Sequence, residues 1–127
     1  MARITTIPLF KSQSIEAGAS GTSDPIDLRY CSSKGMYSVH YLAEPSTSGT
    51  CGTTIFAYTG CSTRDGVYGN PSTAGTFATA GTVKDQITPF SPILTPFMKI
   101  IATQTGLTPD ATHEGANSKI TAELNVQ

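Results

Sequence analysis

The sequence is short of charge. Asp, Glu, Lys and Arg make up 13% of its 127 residues, about half the ~25% usual in soluble domains. The 8 basic and 9 acidic residues leave a net charge of −1. A nucleic-acid surface needs a basic patch that displaces counterions from phosphate. So few scattered cations do not make one, and no nucleic-acid partner is expected. A disordered acidic tail would need high net charge, which is equally absent. No apolar run is long enough to span a bilayer as a helix, so no membrane partner is expected.

Cysteine is scarce and odd in number, with Cys31, Cys51 and Cys61 only. That argues against a complete disulfide framework. Cys51 and Cys61 flank one strand-like run, which leaves a local bridge between them open beside the reading as small apolar thiols. Their spacing is unlike the paired Cys or Cys/His spacing of zinc sites. The first ten residues, Met1 to Phe10, carry one positive charge and are interrupted by Thr5, Thr6 and Pro8. They lack the three-part pattern of a signal peptide, so synthesis without export is expected. Helical patterning is missing too. No window of eleven or more residues carries apolar positions at i, i+3, i+4 and i+7 free of Gly, Pro or β-branched interruption. A phosphate-cradling loop at a helix start is thereby excluded.

Serine and threonine fill the space left by charge, at about a quarter of the chain, with 12 Gly as punctuation. Period-two patterns recur between them. Met36–Leu42 places Tyr37, Val39 and Tyr41 on one face. Thr53–Thr59 is strand-favouring except at Ala57. Thr76–Thr79 is a weaker strand bounded by Gly75 and Gly81. Phe97–Thr103 is strong and reads as buried on both faces around Ile100. The cleanest alternation puts Ile120, Ala122, Leu124 and Val126 on one face and Lys119, Thr121, Glu123 and Asn125 on the other. Arg3–Leu9, Ser12–Glu16 and Ile26–Tyr30 complete about eight strands. Their turns recur at the spacing of a sandwich or barrel, and no helices intervene to make parallel crossovers. The expected fold is all-β, an antiparallel β-sandwich of jelly-roll or immunoglobulin-like type. Residues 1–10 read as an N-terminal arm or first strand, and residues 11–127 as a single sandwich domain.

Two loops stand out. Gly60–Gly75 is dense in turn formers, with Asp65-Gly66 and Asn70-Pro71 as its signals. Gly106–Asn117 is too long for a tight hairpin and is expected to project from one end. Enzyme constellations are thin. His113 has Glu114 beside it and Asp110 nearby, but no G-x-S-x-G elbow accompanies them. A Ser/Thr-rich chain produces such neighbours by chance. The same trio offers a hard cation too few oxygens. His40 reads as a half-buried or interface histidine within a strand. No enzyme activity, no metal and no cofactor is expected. Of the five tyrosines, Tyr30, Tyr37, Tyr41 and Tyr58 lie in or beside strands and suit packing. Tyr68 is the exposed aromatic candidate, and Tyr68 and His113 are the candidate loop contacts.

The run Phe90-Ser91-Pro92-Ile93-Leu94-Thr95-Pro96-Phe97-Met98-Lys99-Ile100, followed by the closing alternation Ser118–Gln127, carries a family resemblance. It resembles the C-terminal part of small β-sandwich virion structural proteins of tailed phages. The strands Tyr37–Tyr58 resemble them more loosely. The resemblance implies a non-enzymatic capsid decoration (cement) subunit that binds and stabilises the virion surface. Its implied partners are the major capsid protein or other virion proteins, and copies of itself, with a trimer as a natural closed form. Its implied location is the virion, after synthesis in the host cytoplasm. Low charge suits a surface covered by neighbours, because charged groups are depleted at interface cores. Near the N-terminus, Ile4 and Phe10 alternate on one side and Ile7 and Leu9 on the other. These four are the candidate interface, as a strand covered by or donated to a neighbour, or else as an ordinary first strand. The alternatives are a carbohydrate- or receptor-binding module that uses Tyr68 and the two loops, and a subunit of an extracellular filament or tail.

Overall fold

The first strand pairs with the last, and that pairing organises the rest. A computed structural model describes residues 4–16, 18–29, 36–45, 53–77, 84–92, 95–105 and 117–127. Nine strands occur among them: β1 (Thr5–Glu16), β2 (Ser20–Thr22), β3 (Ile26–Asp27), β4 (Tyr37–Pro45), β5 (Thr53–Cys61), β6 (Ser72–Phe77), β7 (Lys84–Phe90), β8 (Phe97–Thr105) and β9 (Asn117–Val126). None of the described residues is helical. Sheet A has the order β1-β9-β4-β7 and sheet B the order β2-β8-β5-β6, with β3 also on β8. All pairs are antiparallel.

Four of these pairings nest inside one another: β1 with β9, β2 and β3 with β8, β4 with β7, and β5 with β6. The chain is therefore one long antiparallel ribbon, doubled at the β5–β6 turn and rolled up. Rolling adds the β4–β9 and β5–β8 contacts that complete each sheet. This is the jelly roll, with β2 and β3 together as one of its eight strands. An immunoglobulin-like sandwich would instead set its first strand beside its second.

The core follows from period-two alternation. Tyr37, Val39, Tyr41 and Ala43 of β4 and Ile120, Ala122, Leu124 and Val126 of β9 face inward from sheet A. Phe56 and Tyr58 of β5 and Met98, Ile100 and Ala102 of β8 meet them from sheet B. The Tyr41 ring stacks on Phe56, with centroids 4.5 Å apart. Burial raises the Tyr41 phenol above its ordinary value, and the Thr88 hydroxyl 2.7 Å away opposes the shift. A polar pair is buried in sheet B between the neighbouring strands β5 and β8: the Thr54 hydroxyl donates to Gln104 Oε1 at 3.0 Å. Pairing offsets the cost of burying both.

Several elements depart from the sequence reading. The strands expected at Arg3–Leu9 and Ser12–Glu16 are one strand, β1; Arg3 lies outside the described residues, β1 starts at Thr5, and register shifts kink it between Pro8 and Gln13. Ser12 sits there at φ 48°, an irregularity typical of bulges at sheet edges. Of the strand expected at Ile26–Tyr30, Ile26–Asp27 forms β3, Leu28 and Arg29 are not strand and Tyr30 lies outside the described residues; β2 is a further strand before β3. Pro25 has no N–H to give the ladder. Between β2 and β3 the Ser23 hydroxyl accepts the Ile100 N–H at 2.9 Å, so the break leaves that donor satisfied. The weak strand expected at Thr76–Thr79 lies earlier, at Ser72–Phe77. Gly75, read as its boundary, is inside it. A Cβ there would come within 2.9 Å of Thr88 Cγ2 on β7, so glycine lets the edges of the two sheets touch. Strand β7 forms where the sequence pattern predicts none. It is polar and holds Pro89, features that an edge strand tolerates and a central one does not. Around Ile100 only one face of β8 is buried; Lys99 and Ile101 point outward.

Residues 5–10 belong to β1 and pair with β9. Phe10 is 3% exposed and part of the main core, with Ile7 and Leu9 packed against it. Phe10→Ala is expected to lower unfolding stability by about 3–5 kcal/mol, the usual cost of removing a buried ring. Urea denaturation measures this, and a loss below about 1 kcal/mol would mean the ring is not core.

Candidate functional site

With one face of each sheet spent on the core, contact with other molecules falls to the outer faces and the loops. On sheet A the registers set outward residues in rows: Thr6, Asn125, Ser38 and Pro89; then Pro8, Glu123, His40 and Ile87; then Thr121, Leu42 and Asp85. Short polar groups pair across the strands. The Thr6 hydroxyl donates to Asn125 Oδ1 at 2.7 Å, and the Ser12 N–H donates to Thr121 Oγ1 at 3.0 Å. Ser20 and Thr103 do the same on sheet B at 2.8 Å. Such cross-strand pairs stabilise a wet face without charge, each by roughly 0.2–1 kcal/mol.

Apolar side chains interrupt this polar surface. Ile4 is 64% exposed, and Met36 and Ile87 are each 60% exposed. All three fall on the outer face of sheet A or its continuation, beside Pro89. Met36 continues the ladder, exchanging backbone hydrogen bonds with Gln127 in both directions. Together Ile4, Met36, Ser38, Pro89, Asn125 and Gln127 line a shallow depression of about 240 Å³. In the next rows His40 Nε2 donates to Asp85 Oδ1 at 2.6 Å, with Glu123 opposite His40 in the register. Both members of the pair are well exposed, so it is worth on the order of 0–1 kcal/mol.

On sheet B the β5–β6 loop folds back over the outer face. The Gly69 N–H bonds to the Gly60 carbonyl at 3.0 Å. The Tyr68 hydroxyl donates to the Arg64 carbonyl at 2.8 Å. Lys99 Nζ lies 4.3 Å from the Tyr68 ring centroid, a cation–π contact. Burial pushes the Tyr68 phenol up, and the nearby Cys61 and Asp65 add to the shift. Cys61 is a free thiol, 3.8 Å from the Thr63 hydroxyl. Beneath this corner Phe97 is buried outside the main core, with the Arg29 guanidinium 5.0 Å from its centroid. Arg29 is held there by two side-chain hydrogen bonds to Asp27, of 3.0 and 2.8 Å.

The sequence-derived candidates separate. Ile4 lies in the sheet A depression, Ile7 and Leu9 are half-buried against the core, and Phe10 is inside it, where it offers no surface. Tyr68 is half-buried and tied at its ring and its hydroxyl. His113, with Asp110 and Glu114, lies outside the described residues, as do Tyr30, Cys31 and Cys51. Among the described residues no three His, Cys, Asp or Glu side chains gather as a metal would require. Met36, Ile87, Pro89 and Val67 are surface features the sequence reading missed. Ile87 and Pro89 share a face with Asp85 at every second position, the one period-two signal that could have found them.

These features define a jelly-roll module whose outer sheet A face is polar, with an uncharged, partly apolar depression at one end. No protein family model and no curated protein matches the chain. Among solved structures, a chain of the infectious bursal disease virus Gt strain structure is similar at 14% identity and a TM-score of 0.45. A chain of the Gx strain structure is similar at 13% identity and a TM-score of 0.43. Each similarity covers 98% of this chain and 33% of the viral one. At these values the likenesses say nothing about role.

The Arg29 fork holds the Asp27 carboxyl down, through its side-chain bonds first and its backbone N–H second, from the ordinary 3.8 to about 2. A carboxyl depressed on folding stabilises the fold above its unfolded value and loses that contribution as pH falls through the folded one. The NMR titration of Asp27 is expected to centre near pH 2 and to move up to the ordinary carboxylate range in Arg29→Ala. A midpoint that is the same in both proteins would show that the fork does not hold it.

Proposed function

We propose that this chain is a non-enzymatic structural subunit of a virus particle, a capsid decoration (cement) protein that binds the virion surface in many copies. The observation that carries the reading is the outer face of sheet A. At one end of it Ile4 and Met36 are bare among the hydroxyl, amide and proline side chains of Ser38, Asn125, Gln127 and Pro89, while Ile87, also bare, stands in the more charged row of His40 and Glu123. The uncharged end loses little when desolvated and gains from burial, at about 25 cal/mol per Å² of apolar surface. The rolled ribbon is an architecture that capsid domains use. Lectin domains and cupins use it as well, so the fold supports the reading only by analogy. The resemblance of Phe90–Ile100 and Ser118–Gln127 to phage virion proteins points the same way.

The sugar-binding alternative leans on Tyr68. One face of that ring already carries Lys99, which leaves a stacking platform half taken. In the virion reading the chain's partners are the major capsid protein and further copies of itself, and its place is the particle exterior.

Mass spectrometry of purified particles is expected to find the chain at a copy number comparable to that of the shell subunit. Its absence from particles of the virus that encodes it would overturn the reading.

A further inference from the structure

Val67 is 95% exposed, more than any other large apolar side chain among the described residues. It does not sit on a loose turn. The loop around it is held by Gly69 to Gly60, Gly66 to Thr63, Tyr68 to Arg64 and the Lys99–Tyr68 stack. A bare isopropyl group on a braced turn is a pre-ordered knob, and little conformational freedom remains to be lost when it docks.

The same molecule carries a hole. The depression lined by Ile4, Met36, Ser38, Pro89, Asn125 and Gln127 has a volume of about 240 Å³. The depression is open on one side and exceeds an isopropyl group in volume, with Ile4, Met36 and Pro89 as its apolar lining beside Ser38, Asn125 and Gln127. Knob and hole lie at one end of the sandwich. Phe90, next to Pro89, has its ring centroid 5.6 Å from that of Tyr58, which lies just before the loop, and Leu28 N–H bonds to the Pro96 carbonyl there. They are on opposite sides, since the loop covers the outer face of sheet B and the depression opens on the outer face of sheet A. No chain can fill its own hole this way.

Charge agrees with shape. Arg64, three residues before Val67, makes no ion pair among the described residues. Glu123, the next outward position on β9 after Asn125 of the depression, makes none either. A net charge of −1 leaves little repulsion between copies.

We propose that the sheet A depression receives Val67 of a second copy of this chain, with Arg64 of that copy paired to Glu123 beside it. The contact is head to tail, so each copy gives a knob and takes one. Repetition makes a ring when the rotation closes and a filament when it does not. The inference rests on the assembling-subunit reading and names the partner of its sheet A face.

Sedimentation equilibrium of the full chain over a concentration series tests it. The wild type is expected to self-associate. Val67→Ser is expected to weaken association by about tenfold, the order expected when a buried valine side chain is lost from the contact, with an unchanged thermal transition because the side chain is 95% exposed in the single chain. Arg64→Glu and Glu123→Arg are each expected to weaken it, and the double variant to recover it. A wild type that stays monomeric throughout, or a Val67→Ser chain that associates like the wild type, would overturn the proposal. Assay of purified particles keeps the two readings apart. Chain in particles with Val67-independent association sinks the knob and leaves the virion role. Val67-dependent association of a chain absent from particles does the reverse.

Discussion

The structure depends on one constraint: every strand must give one face to a single core between two sheets. The Tyr41–Phe56 stack marks the centre of that core, and the inner residues of β4, β5, β8 and β9 surround it. The rolled ribbon meets the constraint with strands from both ends of the chain, because β1 reaches the core only by pairing with β9. Hydroxyl pairs on the wet faces then supply cross-strand bonding where charge is missing. The abundance of Ser and Thr is thus a consequence of how the outer faces are built.

Legibility followed from burial. β4 and β9 were visible in the sequence because their apolar inner faces alternate against more polar outer ones, and β5 and β8 because they are dense in β-branched and aromatic residues. β7 was not, because an edge strand that packs lightly can be polar and hold a proline. The three-residue β2 is too brief to show a period, β3 falls within the alternation at Ile26–Tyr30, and a serine hydroxyl repairs the gap between them. Gly75 misled because a glycine inside a strand and one beside it look the same until Thr88 is seen against it. The choice of jelly roll over immunoglobulin-like topology needed the β1–β9 register, a long-range pairing that no local pattern encodes.

The candidate surface was legible only in part. Ile4 was read as contact material, and it does line the depression. Phe10, from the same alternation, is core, since the bulges of β1 turn its ring inward. Tyr68 was singled out as a bare aromatic, but in three dimensions it braces a loop whose exposed residue is its neighbour Val67. Exposure of a loop residue depends on what the loop folds onto, and here that is Lys99 of β8. The apolar outer residues Met36 and Ile87 share the outer face of sheet A only through the β4–β7 register, which sets Ile87 opposite His40, four residues along the strand from Met36.

The central claim is that the outer face of sheet A is covered when the chain is in its working state. Met36 lies on that face, 60% exposed, while Met98 is 1% exposed in the core. Oxidative footprinting of the two methionines, in the free chain and in the assembled particle, tests the claim with an internal control. The account predicts fast oxidation of Met36 in the free chain, strong protection in the particle, and slow oxidation of Met98 in both. Equal oxidation of Met36 in the two states would contradict it.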